Sequence, residues 1–225
     1  MFKTVTKTWN PFKGCSHDCS YCWARDLALG RLKNSPRYSD GFRPRNVPEE
    51  LMRRFKPGEF VFVSSMGDIS FASREWASII LRRILKYPQT DFLLQSKNPG
   101  MFTEWGFDYP PNVYLGTTIE TNRDYGLSKA PSPMERFFAL GQTRGVRRFV
   151  SIEPIMDLDV DELTRWIREL RPAIVEVGAD NHKKGLIEPS WEKVEELLSN
   201  LRQICPRVEE KDGLDRLKKG VTQEG

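Results

Sequence analysis

Six short apolar runs, each closing on polar residues and each followed by a stretch with helical spacing, constrain this 225-residue chain most. They are Phe2–Trp9, Glu59–Ser65, Asp91–Lys97, Val113–Glu120, Arg148–Pro154 and Ala173–Asp180. Their β-branched and aromatic content marks them as strands. Between them, apolar residues recur every three or four positions: Trp76, Ile80 and Ile84, then Leu163, Trp166, Ile167 and Leu170, then Val194, Leu198 and Leu201. Helices are predicted over Trp23–Lys33, Glu49–Phe55 and Arg74–Lys86, from Ser132-Pro133 to Gly141, after Asp159, and over Trp191–Ile204, with Ser73 and Asp159 as caps. Strict alternation of strand and helix specifies parallel strands joined by right-handed crossovers. A closed eight-unit barrel takes about 250 residues. Six units therefore imply an α/β chain folded as a partial (βα)6 TIM-like barrel over residues 1–205, with a doubly wound sheet as the alternative. Residues 206–225 read as a polar tail that frays.

In either architecture, functional groups gather at the C-terminal ends of the strands. Here those ends carry Asp68, Gln95-Ser96-Lys97, Thr118 and Glu120, Ser151 and Glu153, and Asp180-Asn181. Asp180 and Asn181 read equally well as turn formers.

The first strand ends differently, in WNPFKGCSHDCSYCWA, where Cys15, Cys19 and Cys22 fall within eight residues. No apolar run is long enough to span a membrane and no signal-peptide core opens the chain. The expected setting is the cytoplasm, where thiols stay reduced and a tight thiol cluster points to a metal rather than a disulfide. Structural zinc wants four ligands, often from two separated knuckles, and only one knuckle is present. His17 would have to fold back tightly to share an ion with its flanking cysteines. Three thiolates from one loop suit one side of a [4Fe–4S] cube, whose fourth iron is left for a non-protein ligand. Cys205, the remaining cysteine, continues the apolar face of Leu198 and Leu201 and reads as a core residue.

With an aromatic just before the last cysteine, Cys15-Ser-His-Asp-Cys19-Ser-Tyr21-Cys22 resembles the cluster motif of the radical S-adenosylmethionine (radical SAM) superfamily. TWNPFKGC, SMGD, SKNP, TIET and SIEP further resemble a small uncharacterised radical SAM family first noticed among phage proteins. The resemblance implies an enzyme with a [4Fe–4S] cluster on Cys15, Cys19 and Cys22. S-adenosyl-L-methionine would bind the open iron and be cleaved reductively to a 5′-deoxyadenosyl radical. It implies cofactor contacts from Tyr21 (adenine side), Asp68 (SAM amino group, in place of the usual Gly-Gly-Glu), Lys97 (SAM carboxylate), Glu120 (ribose hydroxyls) and Ser151. The usual Gly-rich motif after the fifth strand is replaced by VSIEPIMD. Glu153 and Asn181 are the candidates for facing substrate.

Two other readings stand beside this one: an electron carrier recruiting Cys205 as a fourth ligand, and a zinc-binding nucleic-acid module. The second draws on Arg25–Lys56, where nine Lys and Arg face four Asp and Glu although the whole chain carries only +4. For the enzyme, the implied partners are an external electron donor and a large substrate, modified nucleic acid first and protein or peptide second, with no membrane.

Overall fold

The computed structural model describes residues 2–222. Its strands are β1 (Lys7–Trp9), β2 (Phe12–Lys13), β3 (Arg45–Asn46), β4 (Phe60–Val63), β5 (Asp91–Gln95), β6 (Val113–Thr118), β7 (Arg147–Ile152), β8 (Ile174–Val177) and β9 (Val208–Glu210). The helices are α1 (Trp23–Leu29), α2 (Arg74–Ile84), α3 (Gly100–Glu104), α4 (Pro133–Gly141), α5 (Val160–Leu170) and α6 (Trp191–Ile204). Seven strands form one parallel sheet in the order β1-β4-β5-β6-β7-β8-β9, curled into a half-barrel, while β2 and β3 pair separately and antiparallel. No helix among the described residues is long and apolar enough to cross a membrane.

Alternation along the strands sorts the two faces. Val61, Val63, Phe92, Leu94, Leu115, Val150, Val175 and Val177 point outward and pack in the main core, beneath helices whose apolar stripes match the predicted ones. The opposite set, Phe60, Leu93, Tyr114, Phe149 and Ile174, fills the inside of the half-barrel together with Phe2 and Val5. Higher up, the inner positions turn polar at Thr8, Gln95, Thr118 and Ser151, and the filling stops. That switch leaves a cavity at the C-terminal rim.

Several expectations change. The helix expected over Glu49–Phe55 is a 3-10 turn at Pro48–Met52, and α1 stops at Leu29 rather than Lys33. The first strand shortens to β1, because residues 2–4 cross the barrel floor instead. There the buried carboxylate of Glu176 on β8 accepts the backbone N–H groups of Lys3 (2.8 Å) and Thr4 (2.9 Å). Asn98-Pro99-Gly100, read as a break, opens the short helix α3. The stretch after Pro206, read as a fraying tail, supplies the seventh strand: Val208–Glu210 pairs with Val175–Val177, and Leu214 beyond it is buried in the main core. Its charged composition hid it, since an edge strand needs only one buried side.

Candidate functional site

The cysteine loop is held from two sides. At its start, backbone meets backbone: Gly14 N–H donates to Met66 O (2.9 Å) and Asp68 N–H to Gly14 O (3.1 Å). A Cβ on Gly67 would lie 2.6 Å from the nitrogen and oxygen of Gly14, so the glycine of Ser65-Met66-Gly67-Asp68 is a condition of this contact. On the other side, the segment after β6 grips the loop. Ser20 N–H donates to Leu127 O (2.9 Å) and Lys129 N–H to His17 O (2.6 Å).

So held, the three cysteines line one cavity of about 500 Å³ with Tyr21, Asp68, Lys97, Ser151, Glu153 and Asn181. Cys205 is not on that wall; it is buried in the main core, which pushes its thiol up to about 11. The Cys15 sulfur accepts the His17 N–H and the Cys22 sulfur the Arg25 N–H, both at 3.4 Å. Cys22 thereby caps α1. The Cys19 sulfur lies 3.1 Å from Ser128 Oγ. Burial pushes the Cys15 and Cys22 thiols upward, and the Asp68 charge adds to this at Cys15. Bare thiolates are therefore disfavoured here, and a bound cationic metal centre offsets that penalty. The donor set fits a cluster held on three sulfurs.

Asp68 is buried yet ionised. Burial works against its charge, but the His17 ring (Nε2 to Oδ2, 3.3 Å), the Ser96 hydroxyl (2.6 Å) and the Lys97 N–H (2.8 Å) outweigh it and hold the carboxyl near 2. Ligand atoms of Cys15, His17 and Asp68 all fall within 4.8 Å of one another, so His17 approaches one flanking cysteine, while Cys19 is outside this group. Both Asp68 oxygens accept, one from Ser70 and Ser96 and the other from His17 and Lys97.

Glu120 lies just beneath the cavity wall with no exposed surface. One oxygen takes the Lys97 ammonium and the Tyr21 hydroxyl (2.6 Å), and the other takes Arg136 Nη1 (2.8 Å). Burial opposes its charge, but Arg136 and then Lys97 prevail and hold it near 2. Arg123, its nearest basic neighbour in sequence, pairs with Asp157 instead. Two cations against one carboxylate leave a net positive wall, and Lys97 and Tyr21 present it to the cavity. Across the mouth, Glu153 pairs with Lys211, which arrives from just beyond β9. Asn181 is exposed and donates to Asp212 O (2.8 Å).

Sequence reasoning missed Arg136, Ser128 and Lys211. Arg136 carried a signal, since it occupies a buried position of α4 beside Phe137 and one turn before Leu140. Ser128 and Lys211 carried none.

Among curated proteins, no sequence matches this chain. Solved structures do match in fold. A spore photoproduct lyase variant with a dinucleoside spore photoproduct superposes with a TM-score of 0.62 at 12% identity, covering 89% of this chain and 75% of that one. Another lyase variant, with bound AdoMet and dinucleoside spore photoproduct, gives 0.54 at 12%, covering 91% and 64%. A radical SAM methyltransferase from Sphaerobacter thermophilus gives 0.60 at 18%, covering 96% and 69%. The half-barrel is thus similar in fold to these lyases and to this radical SAM methyltransferase. A family model spans residues 2–205, and the chain belongs to the family described as "Protein of unknown function (DUF5131)".

Proposed function

We propose that this protein is a radical SAM enzyme: Cys15, Cys19 and Cys22 would hold a [4Fe–4S] cluster, and Asp68, Lys97 and Tyr21 would receive S-adenosyl-L-methionine beside it. When bound, the pair supplies a 5′-deoxyadenosyl radical that takes a hydrogen atom from substrate. The observation that carries this reading is the meeting, in one cavity, of three thiols, a permanently ionised carboxylate and a net positive wall. Asp68 and Lys97 are linked through the Lys97 N–H, so an anionic and a cationic site stand side by side. That arrangement suits the ammonium and carboxylate ends of an amino acid. Glu120 and Arg136 orient Lys97 and Tyr21 from beneath, so Glu120 serves the cofactor through these two residues. Ser151 lines the floor, and Glu153, held by Lys211, faces the space left for substrate. The remaining component is an external electron donor.

The test is anaerobic preparation followed by metal analysis and product assay. About one four-iron cluster is expected, lost in Cys15→Ala, Cys19→Ala or Cys22→Ala and kept in Cys205→Ala. With a strong reductant, SAM should yield 5′-deoxyadenosine and methionine. Stoichiometric zinc in place of iron, or S-adenosylhomocysteine as the only product, overturns the reading. Cluster loss in Cys205→Ala turns it toward electron transfer.

A further inference from the structure

Five of the six tryptophans, Trp9, Trp76, Trp105, Trp166 and Trp191, belong to the main core or pack against it. Trp23 is in none of the hydrophobic clusters. It opens α1 directly after Cys22, is 42% exposed, and lines the mouth of the thiol cavity. Its indole lies nearly parallel to the exposed ring of His182, 13° between planes and 6.3 Å between centroids. His182 belongs to the segment after β8 and lines the same mouth. The two elements are tied together by Lys184, which pairs with Asp26 on α1, so the parallel rings are held in place. An ordinary core explains neither ring.

The segments that carry these rings also carry cations without partners. Arg31, Lys33 and Arg43 are exposed and in no ion pair among the described residues, and so is Lys183, next to His182. Of these, Arg31 and Lys33 follow the far end of α1, whose seven residues span about 10 Å. Of the nearby acids, Asp18 and Asp26 are paired with cations, and Asp180, buried on the same cavity wall, accepts the Lys184 N–H. Flat aromatic faces beside unneutralised cations are the chemistry that holds unpaired bases on a phosphate chain. An aromatic peptide would use the rings but not the cations.

We propose that Trp23 and His182 form a stacking seat for an unpaired base of a single-stranded nucleic acid, with Arg31, Lys33 and Arg43 taking its phosphates, so that the strand is presented to the thiol cavity. This rests on reading that cavity as the reaction site, and it names the class of substrate.

The test uses the full, cluster-loaded protein and fluorescein-labelled mixed-sequence 12-mers of single-stranded DNA and of RNA, in separate arms. Anisotropy should show binding that weakens as salt rises. Trp23→Ala should weaken it about ten-fold or more, and Trp23→Phe should keep most of it. The double variant Arg31→Glu/Lys33→Glu should bind less and flatten the salt dependence. Iron content and the unfolding midpoint report whether each variant is folded. Unchanged affinity in folded Trp23→Ala, salt-independent binding, no binding in either arm at low salt, or preference for an aromatic peptide overturns the proposal. SAM cleavage by the wild-type protein, assayed without oligonucleotide, separates the two readings. Cleavage without oligonucleotide binding retires the seat alone, and binding without cleavage retires the radical chemistry alone.

Discussion

Glu120, with no exposed surface, gathers two cations and a phenol on two oxygens. Its carboxyl is held near 2, against an ordinary 4.5, so ionisation there stabilises the fold. The contribution is complete above about pH 5, erodes as pH drops below 4.5, and is gone once the folded carboxyl protonates near 2. It amounts to roughly 3 kcal/mol. Glu120→Gln should therefore lower the apoprotein's stability at pH 7 by about that amount and flatten its loss between pH 4.5 and 3, as read by urea unfolding. Ser128 makes a different claim. Its hydroxyl has one proton and two acceptors in reach, His17 O at 3.3 Å and the Cys19 sulfur at 3.1 Å. With the proposed cluster in place, a metal-bound Cys19 thiolate would be the closer, charged acceptor and would take the proton. Ser128→Ala should then lower the cluster's reduction potential while leaving its iron content intact, measured by redox titration. These residues also show what the sequence could disclose. The three cysteines were legible because their relation is local, eight residues long. The partners that complete the site lie 16 residues away for Arg136 and Glu120, 58 for Lys211 and Glu153, and 109 for Ser128 and Cys19. Such pairings are chosen by the barrel's curvature, which no local pattern encodes.

Helices and strands were easier to read than residues. The apolar stripes of α2, α5 and α6 came through because each is long enough to repeat its period and has a recognisable start. Asp159 accepts the Glu162 N–H at 2.9 Å, and Ser73 caps α2, both as predicted. Shorter elements escaped: α3 spans only five residues, and β9 only three with glutamates at two of them. The joint between β4 and the cysteine loop belongs to this scale too. Gly67→Ala would drive a methyl group into the backbone of Gly14, and neither partner can yield without parting the loop from the strand. A large loss of stability, on the order of several kcal/mol, is expected together with poor iron loading, although no ligand is touched. Thermal melts and iron analysis on one preparation check it.

At the scale of the molecule, the half-barrel is closed on its last side by the chain beyond Pro206. Val208–Glu210 completes the sheet, Leu214 fills the core, and Lys211 neutralises Glu153 in the cavity. Ending the chain at residue 206 would uncover the edge of β8 and leave Glu153 without its cation. A lower melting temperature and concentration-dependent light scattering are expected. A truncated protein that melts like the full chain would show that the seventh strand is dispensable. Lys211→Ala, which keeps the strand, should instead retain most of the stability and disturb only the cavity.

Strand order in the main sheet follows chain order from one edge to the other. A ribosome building this chain therefore lays the sheet down like planks, each beside the last. The thiol loop and the Gly67 joint that shapes it emerge first, and Lys211 emerges last. At ordinary synthesis speeds the interval is on the order of ten seconds. During it the growing chain offers three sulfurs to the cell before the facing wall exists.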